Sequence, residues 1–339
     1  MNKLTTLGLA ALVATGLGWM RPAEAQSDFL TMSTLPPGTS TYLIMSTFAQ
    51  LVSDELDDVT IQVSASGTGT QNMLYGARGD FDLYMQATAT YELMRNGEAM
   101  FADVPNVTEL AEDALALFAF PAGVYHIVTN ADSGIDSLED IKGKTAFFGP
   151  PGGAATRTMS AMVEASTGLV AGEDYDLVQV GWDAGLQSFL DGRLDVYMNF
   201  TVAPSPVIQQ IEMARKVQFL EFTDEHLAKP AMAALANRPG GFMSELDTDV
   251  YSDNVVNEGV MTALGGTQIM ATSVHLDDET AYRLTKAFWT AAEKGQANLP
   301  WLRDISLENA FQNLNMKIHP GAMRYYDEIG VEVPAELHP

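Results

Sequence analysis

The sequence predicts an α/β protein built from two lobes, on three observations. Strand-like and helix-like segments alternate through the middle of the chain, which is typical of parallel sheets flanked by helices. The chain has 339 residues, more than one ordinary domain. A short sequence beginning at Gly79 recurs at Gly192, which suggests that the two lobes are built alike.

The first 25 residues indicate export. Lys3 precedes an apolar run from Leu4 to Met20, and Ala23-Glu24-Ala25 offers a small-residue cleavage site. This layout predicts a secretory signal peptide over residues 1–25, cleaved after Ala25. The alternative is an uncleaved anchor, which the glycines in the run disfavour. No later stretch has the ~18 uninterrupted apolar residues of a spanning helix, so we expect a soluble chain in the periplasm.

Composition excludes several functions. The chain has no cysteine, which rules out disulfides, thiolate nucleophiles and a cysteine-linked lipid anchor. Its formal net charge of -26 disfavours nucleic acid and anionic membrane surfaces as partners. If the ligand is an anion, local groups must overcome this overall field.

The elements follow one another in two similar series. In the first series we expect a strand, a helix and a strand at Thr60–Ala65, Gln71–Arg78 and Phe81–Gln86. The second series has strands at Lys144–Phe148, Asp176–Val180 and Leu194–Phe200, with helices at Thr156–Thr167 and Ala184–Asp191. Gly79-Asp80-Phe81-Asp82-Leu83-Tyr84-Met85 resembles Gly192-Arg193-Leu194-Asp195-Val196-Tyr197-Met198. Coincidence between two generic helix-to-strand turns is the alternative.

Two segments are candidates for crossings between the lobes. Leu115–Thr129 is apolar and has Pro121-Ala122-Gly123 in its middle, as expected of a segment that leaves one lobe and enters the other. Gly265–Thr272 is the candidate for the crossing back into the first lobe. We therefore expect lobe 1 to comprise residues 26–122 and 271–339, and lobe 2 residues 123–270. A helix follows over Asp277–Gln296, whose apolar positions at helical spacing indicate core.

Three loops rich in Gly, Ser, Thr and Pro precede predicted helices: Pro36–Tyr42, Ser66–Thr70 and Pro150–Thr156. Glycine lets a ligand approach the backbone, and free N–H groups at a helix N-terminus favour an anion. Each loop alone could be an ordinary connection. Together, at the carboxyl ends of strands, they predict a ligand cleft.

No catalytic, metal or cofactor motif is apparent. Gly67-Thr68-Gly69 begins a dinucleotide fingerprint, but Asn72 stands where its third glycine belongs. Gly143-Lys144-Thr145 lacks the earlier glycine of a phosphate loop, and the five histidines show no metal-ligand spacing. We expect neither enzyme activity nor a cofactor, although an acid and a base that meet only in the fold remain an alternative.

Several motifs resemble the TAXI family, the TRAP-associated extracytoplasmic immunogenic proteins that serve tripartite ATP-independent periplasmic transporters. The most specific is His319-Pro320-Gly321-Ala322-Met323-Arg324-Tyr325-Tyr326-Asp327-Glu328-Ile329-Gly330, similar to the ending HPGA-x-x-Y-Y-x-E-x-G. Ser133–Lys144, Gly67–Asn72 and Asp191–Asp195 also match. The resemblance implies a periplasmic-binding-protein fold of type II, a hinge between the lobes, and glutamate or a related dicarboxylate as ligand. It also implies membrane subunits as partners.

The resemblance, with the loop pattern, implies a set of ligand contacts. The site residues are Thr39, Ser40, Tyr42, Gly67, Thr68, Asn72, Gln86, Gly152, Gly153, Thr156, Arg157, Tyr197 and Asn199. Arg157 is expected to bind a ligand carboxylate, because a cation in the first turn of a helix opposes the helix dipole and needs another reason to be there. The alternative is that Arg157 faces solvent.

The sequence departs from the family at places that affect the ligand. Gly153-Ala154-Ala155 stands where the family has a serine hydroxyl, and Arg238-Pro239-Gly240-Gly241 lacks a recognisable Y-P-G segment. Ligand identity therefore stays open. A binding protein for an ABC transporter or a sensor is the alternative function, and a secreted enzyme on a small anion is a weaker one.

Overall fold

The computed structural model describes residues 28–296 and 298–339. The predicted signal peptide at residues 1–25 lies outside the described residues.

The first part of the chain forms a β-α-β-α-β unit, two further helices and a long strand. Its elements are β1 Asp28–Thr34, α1 Ser40–Glu55, β2 Val59–Ala65, α2 Gly69–Ala77, β3 Leu83–Ala87, α3 Thr88–Asn96, α4 Val107–Glu112 and β4 Ala114–Asn130.

The second part of the chain repeats the β-α-β-α-β unit, and the last elements of the chain then pack back onto the first part. Its elements are β5 Thr145–Phe147, α5 Ala154–Thr167, β6 Asp176–Leu177, α6 Trp182–Leu190, β7 Val196–Thr201, α7 Pro206–Ala214, β8 Val217–Phe219, α8 Asp224–Leu227, α9 Pro230–Ala236, β9 Gly241–Asp247, β10 Val260–Ser273, α10 Asp278–Glu293 and α11 Pro320–Ile329. In the described part of the chain, no helix is long and apolar enough to cross a membrane.

The two lobes share one topology. In the first lobe β1 lies between β2 and β3, and all three strands are parallel. In the second lobe β5 lies between β6 and β7, again in parallel. Strand, helix, strand, helix and strand thus follow in the same order and produce the same arrangement twice.

Two long antiparallel strands join the lobes. Strands β4 and β10 pair with each other, while β10 also pairs with β3 and β4 also pairs with β7. Hydrogen bonding therefore continues from one lobe into the other as one ten-stranded sheet, with β8 and β9 as side branches. The pairing shifts register between Gly265 and Thr267, where the strands cross between the lobes.

Three hydrophobic cores support this arrangement. One core draws its buried residues from positions 30–122 and 269–337. The other two draw theirs from positions 124–264. Val128 belongs to one of these and its neighbour Ile127 to the other, since successive residues of the strand β4 point to opposite faces of the sheet. The predicted lobe ranges stay a prediction, because both crossings lie inside continuous strands.

The sequence echo corresponds to a repeated structural feature. The Asp82 carboxylate accepts hydrogen bonds from Thr31 N at 2.7 Å and Oγ1 at 2.8 Å, which ties the start of β3 to β1. Asp195 accepts the same two bonds from Thr145, both at 2.8 Å, and ties β7 to β5. The echo is therefore no coincidence, because the repeated aspartate makes the same contact in both lobes.

The C-terminal helix prediction is confirmed with a small shift at the end. Asp277 caps α10 by accepting a hydrogen bond from Thr280 N at 2.9 Å. Leu284 and Phe288, predicted as core, are buried. This helix face packs in the core of the first lobe.

Candidate functional site

A cleft with a volume of about 160 Å³ lies between the lobes. The three loops that the sequence singled out all contribute to its lining, through residues 39, 41, 67–70, 150 and 153–155. Residues 264–268 of the crossing strand β10 line it as well. An engineered cavity of ~150 Å³ accommodates benzene, so this cleft suits a ligand of about that size.

Five helices begin at the cleft. The lining includes the N-caps of α1, α2, α3 and α5, which are Thr39, Thr68, Ala87 and Gly153, and the first residue of α6, Trp182. Helices α3, α5 and α6 have no side-chain cap, so their first N–H groups are not satisfied by an N-cap side chain. The positive ends of several helix dipoles therefore converge where a ligand would lie, which favours an anion.

Hydroxyl groups are the most frequent polar groups of the lining. Seven threonines contribute: Thr39, Thr41, Thr68, Thr70, Thr90, Thr158 and Thr267. Thr41 donates to Gln268 Oε1 at 2.8 Å, which orients the Gln268 amide. The Thr70 hydroxyl is buried, and it has no hydrogen-bond partner among the described residues. Such a buried hydroxyl is costly without a partner, so it is well placed to bond a ligand.

Aromatic side chains form an apolar wall. The rings of Tyr125 and Phe200 pack with their centroids 4.8 Å apart, and Trp182 lines the cleft beside them. A Cβ at Gly266 would lie 3.1 Å from the Phe200 ring, so the absence of a side chain at this position leaves room for the ring. Burial raises the pKa of Tyr125 to about 12, and the phenol therefore stays neutral at physiological pH.

The charge of the lining differs from that of the whole protein. Within the described residues, no aspartate or glutamate lines the cleft, although the chain carries 44 of them. Arg238 is the one Lys or Arg side chain in that lining. The lining thus carries one formal positive charge and no negative one, in a protein whose net charge is -26.

The segment that carries Arg238 is held against lobe 1. It follows α9, and the Gly240 carbonyl, just before β9, accepts a hydrogen bond from Thr267 N at 2.8 Å. Gly240 has a φ of +76°, and a Cβ there would overlap the Thr88 side chain. Only glycine allows this close approach, which places the turn beside the N-terminus of α3.

The structure brings four of the predicted site residues into the lining: Thr39, Gly67, Thr68 and Gly153. Three others are next to the cleft but bond the backbone. Ser40 donates to Ala122 O at 2.6 Å, Asn72 to Thr34 O at 3.0 Å, and Thr156 to Pro150 O at 2.8 Å. These three side chains fix the loops that form the cleft.

The predicted strand residues Gln86, Tyr197 and Asn199 are buried and are not in the lining. Tyr197 packs in a lobe 2 core, and Asn199 donates to its hydroxyl at 3.0 Å. The neighbours Ala87 and Phe200 line the cleft instead. Side chains alternate between the two faces of a strand, so a shift of one residue changes the face.

Tyr42, Gly152 and Arg157 are also outside the lining. Arg157 is exposed in the first turn of α5, on the solvent side of the helix. The structure therefore does not bring the expected cation into the cleft.

The sequence interpretation missed the residues that come from elsewhere in the chain. Tyr125, Trp182 and Arg238 belong to a crossing strand, a helix start and a turn after a short helix. The position of Trp182 at a strand-to-helix junction was the available signal, since such junctions line the crevice of α/β sheets. Arg238 had been noted only as part of a segment that departs from the family's Y-P-G pattern, and no local pattern gave it a role in binding.

The histidines do not form a reactive centre at the cleft. His126 is fully buried, with Nδ1 3.1 Å from Val124 O and Nε2 2.9 Å from the Tyr251 hydroxyl. Burial lowers the pKa of His126 to about 4, so the ring is neutral at pH 7. In the part of the chain that the structure describes, no group of three or more His, Asp or Glu side chains could hold a metal ion.

The chain was compared with known proteins. The model of the NMT1-like family matches residues 32–330. The periplasmic aliphatic sulphonate-binding protein SsuA of Escherichia coli is 12% identical, over 88% of this chain and 78% of that one, with a TM-score of 0.44. A TRAP solute-binding protein of Rhodoferax ferrireducens T118, in complex with copurified benzoate, is 14% identical over 90% and 89%, with a TM-score of 0.44.

A protein of Bordetella bronchiseptica RB50 is 15% identical over 92% of this chain and 91% of its own, with a TM-score of 0.48. The strand topology confirms the predicted α/β class: a parallel β-α-β-α-β unit forms each lobe, and two crossing strands join the lobes.

Proposed function

The chain belongs to the NMT1-like family, and from that premise we propose that it is a solute-binding protein of the periplasm that captures a small organic anion between its lobes. The signal peptide at residues 1–25 directs its export. Residues 26–122 with 271–339 form one lobe, and residues 123–270 form the other.

One observation carries the proposal. Five helix N-termini meet at a cleft whose described lining has one arginine and no carboxylate. In a chain with 44 acidic and 18 basic residues, such a lining would be unusual for a surface without function. Thr39, Gly67, Thr68 and Gly153 lie in this lining, and a small anion would replace water on the first N–H groups of α3, α5 and α6, which have no side-chain cap.

Delivery to the membrane subunits of a TRAP transporter is the finer part of the proposal. It rests on the TAXI-like ending from His319 to Gly330, and this resemblance makes glutamate and related dicarboxylates the first candidates. The same architecture also serves ABC transporters and sensors, which is the second candidate role. Genes for a large and a small membrane subunit beside this one would support the TRAP assignment, and genes for an ATPase would favour the ABC role.

A thermal-shift screen of organic acids tests the proposal. A ligand that binds only the folded state raises the melting temperature in proportion to the logarithm of its concentration. We expect such a rise with at least one organic acid and none with the corresponding neutral amide. If a broad panel of acids leaves the melting temperature unchanged, anion capture is contradicted. Recovery of a chemically altered ligand after long incubation would favour the enzyme alternative.

A further inference from the structure

We infer that the ligand is a carboxylate with one negative charge and a compact apolar body, and that Arg238 binds its carboxylate. This inference rests on the proposed function, and it narrows the ligand class at the same cleft. It departs from glutamate and dicarboxylates, which the family resemblance suggests.

The first step concerns the ammonium group of an amino acid. Glutamate would bring an ammonium group that needs an acidic partner when it leaves water. The described lining has no aspartate or glutamate, and five helix N-termini present positive partial charge. An ammonium group in this cleft would be unpaired and repelled. The cleft therefore disfavours amino acids.

The second step concerns a second carboxylate. Arg238 can pair with one carboxylate, and the helix N-termini can assist it. A second carboxylate would have only the partial charges of helix termini as partners, and these do not offset the cost of taking a full charge out of water. The balance favours a ligand with a single charge.

The third step concerns the body of the ligand. The remaining lining is largely apolar and includes Met73, Met85 and Leu264 beside the Tyr125 and Phe200 rings. Burying apolar area against such groups stabilises a complex in proportion to the area removed from water. The volume of about 160 Å³ accommodates one six-membered ring or a short branched chain. Aromatic and short aliphatic monocarboxylates therefore fit in both size and polarity.

The position of Arg238 agrees with this role. It is exposed, and it has no ion-pair partner among the residues that the structure describes. Its turn is fixed on lobe 1 through Gly240, so the guanidinium can reach the cleft without a rearrangement of the backbone. A planar guanidinium can bond both oxygens of a carboxylate, which an ammonium group cannot do.

Calorimetric titration with benzoate, L-glutamate, succinate and benzamide tests the inference. We expect benzoate to bind at least tenfold more tightly than the other three, benzamide being its neutral analogue of nearly equal shape. Arg238→Ala should weaken benzoate binding at least tenfold, and Arg238→Lys should weaken it less. Arg78→Ala is the charge-matched control, since Arg78 is exposed at the opposite end of α2 and should leave affinity unchanged.

The outcomes separate this inference from the proposed function. If L-glutamate or succinate binds as tightly as benzoate, the ligand class is wrong and anion capture stands. If benzoate binding persists in Arg238→Ala, the assignment of Arg238 is overturned, and loss of binding in Arg157→Ala would identify Arg157 as the anchor. If none of these carboxylates binds while the organic-acid panel contains a ligand, only the ligand class is wrong; if the panel contains none either, both proposals fail. Equal melting temperatures of the variants exclude misfolding as the cause.

Discussion

Replacing Gly123 with alanine should destabilise the crossing between the lobes. Gly123 lies within β4 with a φ of +120°, a conformation that residues with a Cβ rarely adopt. An added Cβ would lie 2.2 Å from the carbonyl carbon and oxygen of Thr201 in β7. These are backbone atoms of a paired strand, so they cannot move aside as a flexible side chain can.

The magnitude follows from these two effects. A φ in this sparsely populated range costs an alanine ~1–3 kcal/mol, and overpacking costs ~1–3 kcal/mol. The free energy of unfolding should therefore fall by ~2–6 kcal/mol. Gly134→Ala is the matched control: Gly134 has a φ of +70°, and no atom lies within 4 Å of the place that its Cβ would occupy, so only the first cost applies.

Urea unfolding followed by tryptophan fluorescence gives both free energies. We expect Gly123→Ala to lose at least ~1 kcal/mol more than Gly134→Ala, the difference being the overlap with β7. Equal losses in the two variants would refute the close contact between β4 and β7 at the crossing.

Three further predictions concern the repeat, the motion and the buried histidine. Asp82→Ala and Asp195→Ala should each lower the free energy of unfolding by ~2–4 kcal/mol, because each removes two hydrogen bonds to a carboxylate. If urea titrations show that only one of the two variants is destabilised, the two aspartates do not have equivalent roles in their lobes. Closure about the crossings should reduce the radius of gyration in small-angle scattering when a confirmed ligand is added, and an unchanged radius would indicate a preformed pocket. The pKa of His126 is lowered from 6.5 to about 4, so between these values the unfolded chain binds a proton that the folded chain does not. Stability should fall by up to ~3 kcal/mol as the pH drops through this window, and His126→Gln should lack that part of the pH dependence in urea titrations.

Much of the cleft could be predicted because its framework is local in sequence. A loop of Gly, Ser, Thr and Pro between a strand and a helix indicates a junction, and junctions at the carboxyl ends of parallel strands share one edge of a sheet. The loops beginning at Pro36, Ser66 and Pro150 were recognised in this way, and all three line the cleft. The repeat around Asp82 and Asp195 was likewise recognisable, since its contacts lie within one supersecondary unit.

The individual contacts were harder to predict, for two reasons. On β3 and β7 the sequence interpretation chose Gln86 and Asn199, whereas the neighbours Ala87 and Phe200 line the cleft. A strand alternates its faces every residue, and the sequence does not state which face the second lobe will approach. The sequence interpretation chose the two amide side chains because they are polar, but the fold buries them. Their neighbours, the small Ala87 and the aromatic Phe200, face the cleft instead.

The sequence by itself determined the α/β class, the duplicated unit, the apolar crossings and the loops that precede helices, because each depends on the order of nearby residues. Only the tertiary structure decided which cation enters the cleft. Arg157 adjoins the predicted loop but lies on the solvent side of its helix, whereas Arg238 reaches the cleft from a turn that Gly240 brings against Thr88 of lobe 1. That position depends on two long strands crossing between the lobes, and contacts between distant parts of a chain are set by packing rather than by local pattern.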